Sequence, residues 1–222
     1  MKSQVLTVLM PILLGTSLAG QAGATIINFD DVGDKTTITN QYAGVVFSST
    51  GGDVVLTTAQ NPPYTGSAPN LICTGVALPV GTVDCSHDLI LNFTAPVNNL
   101  QFDAFGNQTP LGGTFALADI FQNGILTQTN HVLMVTHADH NAGCPGPPNT
   151  TPDCAADHQD LSAFAGITQL VIHNNTDTNG TAYDNFSFTA QAAPAPEPST
   201  LFLVGLGGFV LASRRFQVRK SR

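Results

Sequence analysis

Between Thr25 and Ala190 the chain breaks into short segments in which apolar and polar residues take turns. Ile27 and Phe29 share one side of T-I-I-N-F-D. Leu89, Leu91 and Phe93 share a side opposite Asp88, Ile90 and Asn92. Leu100, Phe102 and Ala104 alternate with Gln101 and Asp103, and Leu170 and Ile172 with Gln169, Val171 and His173. Phe186 and Phe188 alternate with Asn185 and Ser187. A period of two belongs to a strand buried on one face. Further strands are predicted at residues 45–49, 54–58, 115–121, 125–129 and 131–136. Asn123-Gly124, between two of these, is a pair that suits a tight hairpin turn. No stretch carries a helical period, and 155–165 offers one short turn at most. Short strands at this spacing predict an all-β fold, an antiparallel β-sandwich of jelly-roll type over residues 25–190, with a closed barrel as the alternative.

The two ends follow different rules. Met1-Lys2-Ser3 is a short basic start, and residues 5–19 are mostly apolar. Ala22-Gly23-Ala24 then places small side chains at both positions read by a signal peptidase. Residues 1–24 thus form a secretory signal peptide, cut between Ala24 and Thr25. The apolar run is shorter than the roughly 20 residues of a membrane span, which disfavours an N-terminal anchor.

At the other end, residues 191–200 form a proline-rich linker. Proline fixes φ and removes a donor, so this stretch is extended and outside the fold. An apolar run from Leu201 to Ala212 follows, then Ser213-Arg214-Arg215. Extended to Phe216, the run is a thin single span within the 201–222 segment. Arg214 and Arg215 hold its end in the cytoplasm and leave the body outside.

Pro196-Glu197-Pro198, a glycine-containing apolar run and an arginine-rich end, in that order, resemble the PEP-CTERM sorting tail of Gram-negative bacteria. The resemblance implies handling by an exosortase-type transpeptidase and association with producers of extracellular polysaccharide. It implies a protein of the cell surface or extracellular matrix, held for a time in the inner membrane by its C-terminal helix. An ordinary C-terminal anchor is the alternative, differing only in whether the tail survives.

Charge narrows the range of partners. Lys35 is the only base between the two ends, whereas 14 of the 15 acids lie between Asp30 and Asp184. The body therefore carries a charge of about −13 with histidines neutral. Such a field repels phosphate backbones and excludes nucleic-acid binding. It attracts hard cations that take oxygen ligands.

Cys73, Cys85, Cys144 and Cys154 all lie in the exported body, where an oxidising compartment favours disulfides. Two local pairs, 73–85 and 144–154, are the most economical of the three connectivities. Each closes a short loop worth about 3 kcal/mol in the chain-entropy model. A zinc site is the alternative, but neither pair has C-x-x-C spacing.

Asp30-Asp31 ends the first strand and Asp184 sits in the last. Terminal strands of a jelly roll often lie together, which brings carboxylates from both chain ends within reach of one cation. Tyr183-Asp184-Asn185-Phe186 resembles the last strand of jelly-roll carbohydrate-binding modules. Several of those hold a structural Ca²⁺, and the resemblance implies Asp184 and Asp30 as its ligands here. Without it, each Asp simply accepts backbone N–H bonds at a turn.

Catalysis finds little support. There is no G-x-S-x-G, no phosphate-binding glycine loop and no H-E-x-x-H. His137, His140 and His158 read as a polar loop, since in a strand the first two point to opposite faces. With no Glu in the body a glycosidase would need two Asp, such as Asp103 and Asp119, but their alternation reads as solvent-facing. Asn92, Asn107, Asn149, Asn174, Asn179 and Asn185 begin Asn-x-Ser/Thr sequons that fit an Asn- and Thr-rich surface. The expectation is a non-enzymatic surface or matrix protein with a structural or adhesive role. A calcium-dependent glycan-binding module is the alternative, and a hydrolase the least favoured.

Overall fold

The structure is a computed structural model that describes residues 23–50, 54–59, 70–75, 85–105, 111–136, 156–176 and 180–192. Every regular element among them is a strand: β1 (Ala24–Ile27), β2 (Thr37–Ile38), β3 (Val45–Ser49), β4 (Val54–Ala59), β5 (Asn70–Gly75), β6 (Leu89–Phe105), β7 (Thr114–Gln122), β8 (Ile125–Met134), β9 (Asp157–Asp160), β10 (Ile167–His173) and β11 (Ala182–Ala190). Their order is β2-β4-β5-β11-β6-β10-β7-β8, and all pair antiparallel. β1 adds to β11, while β3 and β9 add to β6.

β6 joins the two arms of this sheet. Its first part, from Leu89 to Phe93, has β3 on one flank and β10 on the other. Its second part, from Val97 to Phe105, has β9 and β11, with β10 reaching it only at Val97. The partners change around Pro96, which has no N–H to give a ladder. There Thr94 N–H bonds the Gly44 carbonyl at 3.0 Å, and the Pro96 carbonyl accepts from Gln191 N–H at 2.7 Å. Asn99, with φ 53°, adds a left-handed kink just beyond. One 17-residue strand thereby serves both arms, where the hydrophobic pattern predicts two separate alternating segments.

The arms bury a large apolar cluster, consistent with a β-sandwich, and Leu71, Cys73, Phe105 and Ala182 form a second, smaller one. Phe47 from β3, Phe102 from β6, Phe186 from β11 and Phe29 from the turn after β1 are all buried in the large cluster. Phe29 and Phe47 meet edge to face at 5.5 Å, Phe47 and Phe186 at 5.6 Å, and Phe102 stacks on Phe186 at 5.3 Å. Each such ring is worth about 3–5 kcal/mol against alanine. The predicted inward residues Leu89, Leu91, Leu100, Ala104, Leu170 and Ile172 are buried with them.

Several local expectations change. β1 ends at Ile27, and Phe29 reaches the core from a left-handed turn position (φ 58°). The two strands expected on either side of Asn130 are one, β8, with Asn130 at φ 53° marking a register shift. Within 155–165 the one short turn forms as expected, closed by Phe164 N–H on the Leu161 carbonyl at 3.0 Å, but the residues before it are strand β9. β5 was not legible as a strand: all six residues are buried, so no alternation shows. The hairpin turn forms as expected, with Asn123 at φ 50° and Gly124 at φ 81°.

Candidate functional site

The first loop, from Asn28 to Thr36, is fixed by two buried polar side chains of the strands beneath it. Thr57 of β4 donates its hydroxyl to the Gly33 carbonyl at 2.5 Å and accepts Thr36 N–H at 2.8 Å. Asn70 of β5 donates its amide to the Val32 carbonyl at 2.6 Å, and its own N–H reaches Asp30 at 3.3 Å. Both residues are almost fully buried, so these bonds offset a desolvation cost of about 1–3 kcal/mol each. They set Asp30 and Asp31 beside the ring of Tyr42, which packs edge to face on Phe29 at 5.3 Å.

Tyr42 reports on the local field. Its hydroxyl donates to Asp31 at 2.5 Å. Its pKa is pushed well above that of an ordinary phenol, first by burial, then by the Asp31 bond, then by the charges of Asp31, Asp30 and Asp184. Asp184, fully buried in β11, and Asp30, near the first strand, thus act on one phenol. A Ca²⁺ ion takes six to eight oxygens. Among the described residues no three His, Cys, Asp or Glu side chains converge as a metal-binding group.

Asp103 and Asp119 do not come together as a catalytic pair; each has its own partners. Asp103 meets His158 at 2.9 Å through one oxygen and accepts from the Asn185 amide at 2.9 Å through the other. Asp119 accepts from Asn130 N–H at 2.8 Å and from the Thr129 hydroxyl at 3.0 Å, with His173 at 3.3 Å. Partial burial alone would raise the Asp119 carboxyl, but these three neighbours together hold it below its ordinary value. In this way Asp119 ties the irregular part of β8 to the face of β7 and β10.

Cys73 of β5 is bonded to Cys85, with Cα atoms 4.8 Å apart. The Cys85 carbonyl accepts Thr181 N–H at 2.9 Å and the Asn175 amide at 3.2 Å. Gly180 pairs with Cys85 at φ 78°, so close that a Cβ would lie 2.3 Å from the Cys85 carbonyl carbon. The crosslink therefore grips the start of β11 as well as β5. Cys144 and Cys154, His137 and His140, Ala22, Pro196-Glu197-Pro198, Arg214 and Arg215 lie outside the described residues. The signal peptide, with only Gly23 and Ala24 described, and the C-terminal span otherwise lie there too. Among the described residues no helix is long and apolar enough to cross a membrane.

Sequence reasoning passed over Tyr42, Thr57, Asn70 and Gly180. Their roles depend on contacts 11 or more residues away in sequence, and only the glycine is of a type that hints at a special backbone.

Residues 194–215 match the PEP-CTERM protein-sorting motif. The chain carries this motif, which indicates an exported, exosortase-sorted extracellular protein with C-terminal membrane association in a Gram-negative bacterium. A search of curated proteins finds no match. Among solved structures, the K2 cleaved adhesin domain of Lys-gingipain aligns over 76% of this chain and 98% of its own, with 14% identity and a TM-score of 0.39. That likeness is too loose to transfer fold or role.

Proposed function

We propose that this chain is a non-enzymatic protein of the cell surface or extracellular matrix, with a structural or adhesive role in an exopolysaccharide layer. In this reading its fold is a jelly-roll-like sandwich, and its tail anchors it in the inner membrane until an exosortase acts. The sorting motif at 194–215 carries the reading. The acidic, disulfide-crosslinked body suits a durable exported module better than a catalyst, because its strand carboxylates are taken up by structural neighbours. Mass spectrometry of the mature protein from its native host tests this. The expected species begins at Thr25, ends near Pro196-Glu197-Pro198 and has oxidised cysteines. An uncut chain with reduced thiols in the cytosol overturns it.

A second reading, a calcium-dependent glycan-binding module, draws on Asp31 bonding the Tyr42 hydroxyl while the charges of Asp30 and Asp184 also act on that phenol. It expects millimolar Ca²⁺ to raise the melting temperature, and EDTA to lower it, in a way Mg²⁺ does not reproduce. Equal effects of both cations would reduce it to charge screening.

A further inference from the structure

The β7–β8 turn needs an asparagine before a glycine for its geometry, and that pair carries a chemistry of its own. Asn123 and Gly124 both sit at positive φ, 50° and 81°, as this kind of two-residue hairpin turn requires. Gln122 and Ile125 face each other across it. Asparagine followed by glycine is also the dipeptide that closes most easily on itself. The Gly124 nitrogen can attack the Asn123 carboxamide because a residue without a Cβ leaves that approach unobstructed. The other described asparagines at positive φ, Asn99, Asn130, Asn174 and Asn185, precede Leu100, His131, Asn175 and Phe186, whose side chains obstruct the same attack. Asn123 and Gly124 are both exposed, so water reaches the pair.

The segment leading into β10 holds both reacting groups. Gly124 N–H donates to the Thr168 hydroxyl oxygen at 2.9 Å. Thr168 gives its own proton to the Phe121 carbonyl at 3.2 Å, which turns a lone pair of the hydroxyl toward Gly124. Attack requires the Gly124 amide to lose its proton and its nitrogen to swing toward Cγ of Asn123. The bond to Thr168 opposes both. Asn123 N–H donates to the Gly166 carbonyl at 3.0 Å. The Asn123 carboxamide lies over Gly166, where a Cβ would meet Oδ1 at 3.3 Å and Nδ2 at 3.5 Å. Gly166 is itself fixed by its N–H on Asn98 Oδ1 at 2.8 Å, and Gln122 Nε2 donates to the Ala165 carbonyl at 2.5 Å. Every residue from Phe121 to Gly124 is thus bonded to the 165–168 segment.

We propose that Asn123 is a site of spontaneous modification, kept silent while Thr168 holds the Gly124 N–H and converted when the β7–β8 hairpin opens. The Gly124 nitrogen bonds to Cγ of Asn123 and gives up its proton. The carboxamide C–N bond breaks, and ammonia leaves with that proton. One water then opens the succinimide at either carbonyl, giving aspartate or isoaspartate. Aspartate keeps the turn, since Asp-Gly suits the same geometry, and adds one negative charge. Isoaspartate routes the chain through the side-chain carbon, lengthens the backbone by one atom and moves Gln122 out of register with Ile125. Thr168 is the positioning residue that separates these outcomes from the native turn.

Incubation of the full chain in non-ionic detergent at mildly alkaline pH tests the proposal. Peptide mass spectrometry reads conversion of amide to acid at Asn123 and, as a reference, at Asn179, which also precedes a glycine. The native chain should convert Asn123 at least about tenfold more slowly than the same chain in guanidinium chloride. Thr168→Val, folded by circular dichroism, should speed conversion of Asn123 about fivefold, the order expected for one lost hydrogen bond, and leave Asn179 as it was. Thr168→Ser should restore the native rate. Equal rates at Asn123 in the native and denatured chain overturn the proposal. So does a folded Thr168→Val chain that leaves Asn123 unchanged or speeds both asparagines alike. Should Thr168→Val not fold, hydrogen exchange in the unaltered chain decides. A Gly124 amide protected in step with the slowing at Asn123 supports the proposal, and a freely exchanging Gly124 amide beside a slow Asn123 overturns it.

Discussion

In the arm built from β2, β4 and β5, strands are held by buried polar side chains and a covalent bond. In the arm built from β10, β7 and β8, they are held by alternating apolar faces and a two-residue turn. The first arm buries Thr57, Asn70 and Thr74, each bonded to backbone of another segment, the last donating to the His87 carbonyl at 2.6 Å. The second buries Phe115, Ala118, Ile120, Leu170 and Ile172. Polar contacts with fixed geometry tolerate little displacement, whereas an apolar face tolerates volume-conserving change. The two arms should therefore respond differently to small substitutions.

The largest effect is expected at Gly180. Gly180→Ala asks for a Cβ at 2.3 Å from Cys85 backbone in a left-handed conformation. The expected loss is roughly 4 kcal/mol or more, read by urea unfolding and protease sensitivity. A loss below about 1 kcal/mol would mean the contact with Cys85 is easily relaxed. Next, replacing Cys73 and Cys85 together by serine should cost about 2–5 kcal/mol and leave the β10–β7–β8 arm more resistant to hydrogen exchange than the β4–β5 arm. Equal loss of protection in both arms would show that they unfold as one unit. A smaller effect is expected at Asn123→Val, which puts a β-branched residue at φ 50° in the hairpin turn and should cost about 1–2 kcal/mol. A larger loss there than from the double cysteine change would invert the ranking of the arms.

The smallest effect depends on pH. The folded carboxyl of Asp119 titrates below its unfolded value, so its share of stability is present above the ordinary carboxylate range. That share is lost as pH falls through the depressed value. Asp119→Asn should cost under about 1 kcal/mol at pH 7, since the group is partly exposed, and flatten the acid limb of the stability curve. An unchanged acid limb would show that Asp119 does not restrain β8.

The same contrast explains what could be read from the sequence. In the β10–β7–β8 arm, Leu170 and Ile172 of β10 announce themselves by alternation with more exposed neighbours, and Asn123-Gly124 announces the turn. β5 is covered on both faces, and Asn70, Cys73 and Thr74 in it look like loop residues until their partners are known. The alternating segments at 89–93 and 100–104 read as two strands, but they are one, β6, which changes neighbours around Pro96 without ending. Of the candidate ligands, Asp30 and Asp184 were visible as residues at the two chain ends. Tyr42, which senses both, was not, because nothing local distinguishes it from a core aromatic. The sorting motif was legible because a transferase reads it as linear sequence rather than as a folded surface.

β11 has hydrogen-bonded neighbours on both flanks, β6 on one and β1 with β5 on the other, and its last residue, Ala190, leads almost directly into the segment that bears the sorting motif. On the proposed reading, in which the body is held for a time through that segment, any pull enters the fold at the end of β11. A strand paired on both flanks resists such a pull through several ladders at once, so the strand that closes the fold would also serve as a mechanical clamp.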